Sequence, residues 1–425
     1  MKRKIAAVLA GALLLTGCSG FDDFIELLRK TPDDLQGGPS APSSQSSAEQ
    51  LPAVEQPPVV SEPSSEALSE PSEPSEPSAP PSDGSEERPL PPAVAEDGCF
   101  RYYYSFLTAE QQEDYNALLR GFRTHQLKIG GLSEDKDVVF AAAEAVYYDH
   151  QELLWLKNGG GTLYYGQGQG RYEPDYLFSL DEGERLFDKA AGAAEDFWAA
   201  VDPEAGDYEK VKAVFEYLVD ETDYTLGTVN HSNLGGALAD KRASCIGYSA
   251  AAQYLLRGLG VQSIIVTGET ERTGHAWNLV WVDGEPYHMD VTWGDPSFKK
   301  NDKPPEGYRN YAYLLATTEE ILQTRTLDEN IITLPECTSS RNYFVREGLC
   351  LDSVDEYAER LSAAVDAGGN YLAVRFSSAS AFDEAVETLV DEGEIFSMLR
   401  AAGILLPKCS YIMDEEQLQL TIFFS

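Results

Sequence analysis

The stretch Ser244-Cys245-Ile246-Gly247-Tyr248 opens the segment that decides the fold, and Gly274-His275-Ala276-Trp277-Asn278 and Asp290-Val291-Thr292-Trp293 follow it. A thiolate, rather than a thiol, is the useful nucleophile, so a catalytic cysteine needs a neighbouring imidazole and the positive end of a helix to lower its pKa. Residues 246–259 are rich in alanine and carry apolar residues at helical spacing. This pattern predicts a helix whose first turn holds Cys245.

The residues after this helix predict strands that bring a base and a carboxylate together. Residues 261–266 are rich in β-branched side chains, and His275 starts a second strand that runs to Val282. Asp283-Gly284 is typical of a tight hairpin turn, so the returning strand 286–291 pairs with the strand that begins at His275. Pairing about that turn sets Asp290 near His275, where its carboxylate could fix the ring tautomer and stabilise the imidazolium.

Other residues of the segment have simpler interpretations. A lone cysteine at a helix start is more often a small buried side chain than a nucleophile. Here the histidine and aspartate of the other two stretches favour the interpretation of Cys245 as a nucleophile. His288 lies on the same strand face as Asp290 by the period-2 alternation of a strand, which favours a packing or supporting role. Trp277 and Trp293 are expected to be walls of the substrate site.

The three stretches resemble the transglutaminase-like superfamily of papain-type cysteine enzymes. The resemblance lies in C-x-G-Y-x-x-A at residues 245–251, H-A-W-N at 275–278 and D-V-T-W-G-D-P at 290–296, and it spans residues 207–317. It implies that Cys245 is the nucleophile, His275 the general base and acid, and Asp290 the residue that orients His275. The implied chemistry is acyl transfer or hydrolysis at protein or peptide amide bonds, with no cofactor and no metal.

The nucleophile that resolves the acyl-enzyme is left open by the sequence. An amine would give a cross-link between glutamine and lysine, whereas water would give hydrolysis. The alternative function is a non-catalytic module that keeps the same fold and binds cell-envelope peptides or proteins. In either case cell-envelope proteins or peptides are the expected partners.

The N-terminal sequence predicts an exported lipoprotein. Lys2-Arg3-Lys4 precedes a short apolar run at residues 5–15, which is typical of a secretory signal and too short to span a membrane. Leu15-Thr16-Gly17-Cys18 resembles a bacterial lipobox, in which the cysteine is lipidated; ordinary signal-peptidase cleavage is the alternative. Lipidation of Cys18 implies an extracytoplasmic protein anchored to the membrane at the cell surface.

A proline-rich, acidic linker follows at residues 37–97. Repeats such as Ser72-Glu73-Pro74-Ser75-Glu76-Pro77 cannot bury enough apolar surface to offset their chain entropy, which predicts a disordered, extended spacer. The formal net charge of the whole chain is −39. A surface of that sign repels nucleic acid, so a nucleic-acid partner is not expected.

The remaining cysteines give a weaker signal. Cys99, Cys337, Cys350 and Cys409 are widely spaced and contain no C-x-x-C pair, which argues against a zinc site. An extracytoplasmic setting allows up to two disulfides, of which Cys337 with Cys350 is the first to consider; free thiols are the alternative.

The fold class predicted from these patterns is α+β: a transglutaminase-like, papain-like core between an N-terminal helical region and a small C-terminal α+β domain. In the N-terminal region we predict a helix from residue 109, a second helix over 137–146 and a hairpin within 155–177. In the C-terminal domain, residues 343–345 and 371–376 alternate with helices over 353–367 and 379–402, before a hairpin about 414–415. The predicted divisions are a signal peptide 1–17, a membrane-proximal segment 18–36, the linker 37–97, an N-terminal mostly helical region 98–202, the core 203–336 and the C-terminal domain 337–425.

Overall fold

The computed structural model describes residues 100–424, apart from 167, 271–272, 296–306 and 329–331. The predictions for the signal peptide, Cys18, the linker and Cys99 lie outside these residues. Within the described ranges no helix has the length and apolar content of a membrane span.

Helices and strands alternate along the described chain. The helices are α1 (Tyr102–Ser105), α2 (Ala109–Arg123), α3 (Lys136–Asp149), α4 (Leu180–Ala200), α5 (Asp207–Glu221), α6 (Leu234–Leu238), α7 (Cys245–Gly258), α8 (Val291–Gly294), α9 (Thr318–Leu322), α10 (Tyr343–Arg346), α11 (Val354–Asp366), α12 (Ala379–Val386) and α13 (Ile395–Ala401). The strands are β1 (Ile129–Leu132), β2 (Leu156–Gly166), β3 (Gln169–Tyr176), β4 (Asp223–Tyr224), β5 (Arg242–Ala243), β6 (Ser263–Thr270), β7 (Gly274–Val282), β8 (Glu285–Met289), β9 (Leu314–Ala316), β10 (Arg325–Leu327), β11 (Cys350–Leu351), β12 (Tyr371–Phe376), β13 (Ser410–Asp414) and β14 (Gln419–Phe423). This mixture, with separate antiparallel and mixed sheets, is the predicted α+β class.

A five-stranded antiparallel sheet in the order β10-β6-β7-β8-β9 forms the centre of the core. All nine residues of β7 are buried, because this central strand is covered by packed helices that include α5 and α7. The parallel pair β4-β5 lies just before α7 in the chain and leads into it. The strand that carries the second motif is therefore buried along its whole length.

Helix α7 begins at Cys245, as the sequence predicts. The backbone at the start of α7 lies close to the preceding loop, because the backbone N–H of Ser244 donates to the carbonyl oxygen of His231 at 2.8 Å. A Cβ atom at Gly247 would overlap the same carbonyl oxygen. Glycine at this motif position is thus required by a close approach of two backbones rather than by chemistry.

The hairpin between β7 and β8 also forms as predicted, with one correction at its end. Asp283 and Gly284 take the positive φ angles of a tight two-residue turn, 54° and 80°. The return strand ends at Met289 rather than Val291. Asp290 instead caps the short helix α8, because its side chain accepts a hydrogen bond from the backbone N–H of Trp293 at 3.1 Å.

The N-terminal region contains the predicted elements together with α1, β1 and α4, which we did not predict. Thr108 caps α2 with a reciprocal capping box, α3 covers the predicted second helix, and β2 and β3 form the predicted hairpin within a three-stranded sheet. The 21-residue helix α4 was missed, although Ser179 and Glu182 form a capping box at its start.

The C-terminal region has a hydrophobic core of its own and corrects two predictions. Residues 343–345 belong to helix α10, whose first turn is capped by the side chain of Asn342, rather than to an extended segment. The predicted helix 379–402 is divided into α12, a π-helical turn at Glu387–Asp391, and α13. Gly393 takes a φ of 76°, a left-handed conformation that ends a helix.

Of the two alternatives left open for Cys337, Cys350 and Cys409, the structure has the free thiols, and Cys337 and Cys350 form no disulfide. Cys337 is buried, and its backbone N–H is bound to the hydroxyl of Thr318. Cys350 is exposed at the start of β11, where it pairs with Arg375.

The lack of a side chain at Gly268 allows the edge strand β10 to pack closely against β6. A Cβ atom at Gly268 would overlap the carbonyl oxygen of Thr326 and meet the ring of Trp277. We expect Gly268→Ala to lower the free energy of unfolding by about 1–3 kcal/mol, as overpacking does in a filled core. Gly192→Ala, in the interior of α4 with open space around the added methyl, should instead stabilise by up to about 1 kcal/mol. Urea denaturation of both variants measures the difference; equal stability would show that β10 does not pack this closely.

Glu144 on α3 should make the stability depend on pH. Burial, and secondarily the charge of Asp328, raises the pKa of its carboxyl to about 7. Between about pH 4.3, the ordinary value for glutamate, and pH 7 the folded state keeps a proton that the unfolded chain releases, so the free energy of unfolding falls as the pH rises. Glu144→Gln should recover about 2–3 kcal/mol of that loss at pH 8 and little at pH 4. The exposed Glu134→Gln is the control; a wild-type profile in Glu144→Gln would contradict the assignment.

Candidate active site

His275 and Asp290 form a buried hydrogen-bonded pair. His275 is the second residue of β7, and Asp290 lies between β8 and α8. The imidazole Nε2 donates to Oδ2 of the carboxylate at 2.7 Å, and the two residues are 3% and 0% exposed. Since a carboxylate can only accept, Nε2 carries the proton and Nδ1 is the ring nitrogen left for proton exchange with another group.

The carboxylate of Asp290 has three charged or polar partners. Its Oδ2 also forms an ion pair with Nη1 of Arg325, and its Oδ1 accepts the backbone N–H of Trp293. Burial by itself would raise the pKa of this carboxyl, but His275 and Arg325 outweigh the burial and hold the pKa well below its ordinary value. Asp290 therefore stays ionised at pH values at which an ordinary aspartate is already protonated.

Cys245 is the first residue of α7 and is almost fully buried. The start of α7 is fixed to β7, because the side-chain amide of Asn278 donates to the carbonyl oxygen of Ser249 at 3.0 Å, one helical turn after Cys245. Cys245 is disulfide-bonded in this structure. Its sulfur therefore has to be reduced before it can act as a thiolate nucleophile.

Several other motif residues hold the backbone of the site in place. The hydroxyl of Tyr248 lies against both the carbonyl oxygen of Thr222 and the carboxyl of Asp295, the latter at 2.8 Å. Burial raises the pKa of Asp295 to about 6. Gly294 contacts the ring of Phe215 so closely that a Cβ atom would overlap it. These contacts tie the first and third motifs to α5 and to the segment that follows it.

The two motif tryptophans lie on either side of the histidine and arginine. The Trp277 ring stacks on His275 with centroids 5.8 Å apart, while Trp293 is half-buried with its ring centroid 6.1 Å from that of His275. Trp277 is 1% exposed, so it supports the imidazole from within the core. Their expected role as walls of a substrate site stays a prediction.

His288 orients Trp277 rather than taking part in proton transfer. The indole N–H of Trp277 donates to Nδ1 of His288 at 3.0 Å, so the proton of the neutral ring is on Nε2, which faces the hydroxyl of Thr318. Burial and, to a lesser degree, the charge of Arg325 lower the pKa of His288 to about 3. The ring is thus neutral, in accord with the supporting role expected from the sequence.

Arg325 is the site residue that sequence reasoning missed. It starts β10 and pairs with Thr270 of β6, and its side chain is completely buried. Its guanidinium lies over three aromatic rings, with centroid distances of 5.1 Å to Trp277, 4.5 Å to Trp293 and 5.3 Å to Tyr313. No motif surrounds it, and only the pairing of β10 with β6 brings it to Asp290.

Within the described ranges, no group of three or more histidine, cysteine, aspartate or glutamate side chains is arranged to hold a metal ion. The arrangement of His275, Asp290 and Arg325 fits proton transfer instead. An oriented imidazole with a buried carboxylate can take a proton from a thiol and return it to a leaving amine.

Comparison with known proteins gives a family match that includes this site. Solved structures similar to the chain include a TGase, with 16% identity over 42% of this chain and 54% of that one and a TM-score of 0.25. Another is a protein from Cytophaga hutchinsonii assigned as a cysteine protease, with 14% identity over 31% of this chain and 61% of that one and a TM-score of 0.22. The chain therefore spans little more than half the length of these structures, and no curated protein matches it. Residues 195–291, which contain Cys245, His275 and Asp290, match the family model of the transglutaminase-like superfamily, and this chain carries a domain of that family.

Proposed function

We propose that the reduced protein is a cysteine enzyme that catalyses acyl transfer or hydrolysis at protein or peptide amide bonds. The observation that carries the proposal is the bond from Nε2 of His275 to the fully buried carboxylate of Asp290, 2.7 Å long. A histidine held this way presents its other nitrogen with a defined protonation state. Cys245, at the start of a helix fixed to the same strand, is the nucleophile in this proposal.

The reaction proceeds in two steps. The thiolate of Cys245 attacks the amide carbonyl, the C–N bond breaks, and the imidazolium of His275 gives its proton to the leaving amine. A thioester of Cys245 remains. Water or a second amine then attacks this thioester, gives its proton to His275 and releases the thiolate. Asp290 stays ionised throughout and stabilises the imidazolium, as the low pKa of its carboxyl allows.

The disulfide at Cys245 makes the proposed enzyme latent until it is reduced. A dithiol such as dithiothreitol would supply the two electrons and become oxidised to its own disulfide. The other described cysteines should react slowly with alkylating agents, since burial raises the pKa of Cys337 to about 12 and also raises the pKa of Cys350 and of Cys409. Reduction frees two thiols, Cys245 and the cysteine to which it is bonded, and comparison with Cys245→Ala assigns the reactive one.

The first prediction of this proposal concerns thiol reactivity and turnover. After reduction, iodoacetamide at pH 6 should modify Cys245 faster than the other cysteines. The pH–rate profile of this modification should report a thiolate pKa well below the ~8.5 of free cysteine. His275→Ala should return that pKa to the ordinary range. Cys245→Ala should abolish both peptide hydrolysis and the incorporation of a fluorescent amine into a glutamine-containing protein. Cys350→Ala is the matched control and should behave like the wild type.

A non-catalytic binding module is the second candidate, and the disulfide at Cys245 is the observation that favours it, because an oxidised sulfur is no nucleophile. This candidate expects an ordinary thiol pKa in both the reduced wild type and His275→Ala. It also expects that binding of an envelope peptide survives in Cys245→Ala. Such results would replace the enzyme by the binding module.

We further propose that the protein works at an extracytoplasmic membrane surface, on cell-envelope proteins or peptides. The support is in the sequence alone: a charged and apolar leader, the stretch Leu15-Thr16-Gly17-Cys18, and an acidic proline-rich linker before the domain. Lipid on Cys18 would anchor the chain, and the linker would hold the domain away from the membrane.

If Cys18 is lipidated, its replacement should release the protein from the membrane fraction, and replacement of Cys350 should not. In a bacterial host, mass spectrometry should find an acylated peptide beginning at Cys18, and the protein should sediment with membranes. Cys18→Ala should move it to the soluble or secreted fraction, whereas Cys350→Ala should leave it in the membrane fraction. Membrane association of Cys18→Ala at the wild-type level would rule out this anchor.

A further inference from the structure

The charge of Arg325 is buried where little besides Asp290 can compensate it. Its side chain is 0% exposed, and its Nη1 pairs with Oδ2 of Asp290, which is 0% exposed as well. Its Nε makes a long bond of 3.4 Å to the hydroxyl of Thr324, and its Nη2 has no hydrogen-bond partner among the described residues. An arginine so incompletely satisfied is costly to bury, so a gain in stability does not explain its presence at this position.

The position of Arg325 is fixed from three sides. Trp277, Trp293 and Tyr313 surround the guanidinium with their rings, and the pairing of β10 with β6 sets the backbone. The planar guanidinium can stack on rings and donate in its own plane at the same time, which a lysine ammonium cannot do. The carboxylate oxygen that binds His275 is thereby held between two fixed donors.

We propose that Arg325 is a positioning residue of the acyl-transfer reaction: it keeps Asp290 ionised and oriented so that Asp290 can hold the ring of His275. The inference rests on the proposed function, and it extends the catalytic arrangement to a residue outside the 195–291 family match. Arg325 acts through Asp290 and need not touch the substrate, in keeping with its complete burial.

Few other groups near Asp290 and Arg325 can titrate between pH 4 and 10. His288 on β8 has its pKa lowered to about 3, mainly by burial. Burial raises the pKa of Tyr224 on β4 to about 12 and that of Tyr313, just before β9, further still. Asp295, whose pKa burial raises to about 6, also titrates in this range beside Tyr248. It is common to the wild type and the variants, so a shift that appears only when Arg325 is changed is assigned to Asp290 and its partner His275.

Loss of Arg325 should change the acid limb of the pH–rate profile for alkylation of Cys245, which is the pH range in which the rate falls as the pH is lowered. Without the guanidinium, burial is opposed only by His275 and the backbone N–H of Trp293, so the pKa of Asp290 should rise by about 1–3 units. Protonated Asp290 no longer fixes His275, and the thiol of Cys245 then loses its activation at a higher pH than in the wild type. A purely structural role would lower the rate by one factor at all pH values.

The test is the pH–rate profile of alkylation of Cys245 in the reduced full chain, for the wild type, Arg325→Gln, Arg325→Lys and His275→Ala. We expect the acid limb of Arg325→Gln to move up by about one unit or more. Arg325→Lys keeps a positive charge and should restore most of the wild-type position, even where the rate is lower because stacking is lost. The double variant Arg325→Gln/His288→Asn keeps an acceptor for Trp277 without a titrating ring, and should show the same shift as Arg325→Gln.

The outcomes separate this inference from the proposed function. The proposed function is overturned if the thiol of Cys245 has an ordinary pKa in the wild type and the same pKa in His275→Ala. An activated, His275-dependent thiol whose acid limb is unchanged in Arg325→Gln overturns the role of Arg325 alone. Should Arg325→Gln fail to fold, as thermal unfolding would reveal, Arg325→Lys decides: an acid limb shifted by a full unit despite the retained charge also overturns it.

Discussion

The charge of Asp290 in a solvent-free position is the constraint on which the rest of the site depends. A buried, unpaired carboxylate would take up a proton, and would then neither hold the tautomer of His275 nor stabilise an imidazolium. Three partners prevent this: Nε2 of His275, Nη1 of Arg325 and the backbone N–H of Trp293. Each partner requires a different element, namely β7, β10 and the first turn of α8. The sheet order and the capping of α8 are thus conditions for this arrangement of Asp290 and His275.

Several residues of the three motifs hold this geometry in place. Gly247 and Gly294 leave room for a carbonyl oxygen and for an aromatic ring, and Asn278 joins β7 to the first turns of α7. Tyr248 connects the first motif to Asp295 of the third. The motifs are specific as sequences because close backbone approaches accept few side chains. Their residues can therefore be present in a protein whose thiol is inactive, and reactivity has to be measured.

The sequence predicts what local rules govern and misses what distant pairing creates. Helix α7, the turn at Asp283-Gly284 and the approach of Asp290 to His275 follow from propensity, positive φ angles and hairpin register. The end of β8 was wrong because Asp290 satisfies a helix N-terminus better than it extends a strand. Arg325 could not be found, since no nearby residue in the chain marks it and β10 reaches Asp290 only through pairing with β6. The disulfide state of Cys245 is equally invisible to spacing rules.

The supports of the site extend well beyond the segment that carries the motifs. Arg325 and Tyr313 lie after residue 291, on the stretch that includes β9, α9 and β10. That stretch is held in turn by Arg375 of β12, whose guanidinium pairs with Glu320 in the first turn of α9 and donates to the carbonyl oxygen of Ala312 at 3.4 Å. Thr318, at the start of α9, contacts both His288 and the backbone of Cys337. Arg375 thus holds the segment that carries Tyr313 and leads to Arg325, and a fragment cut at residue 291, the end of the family match, would lack the guanidinium that pairs with Asp290.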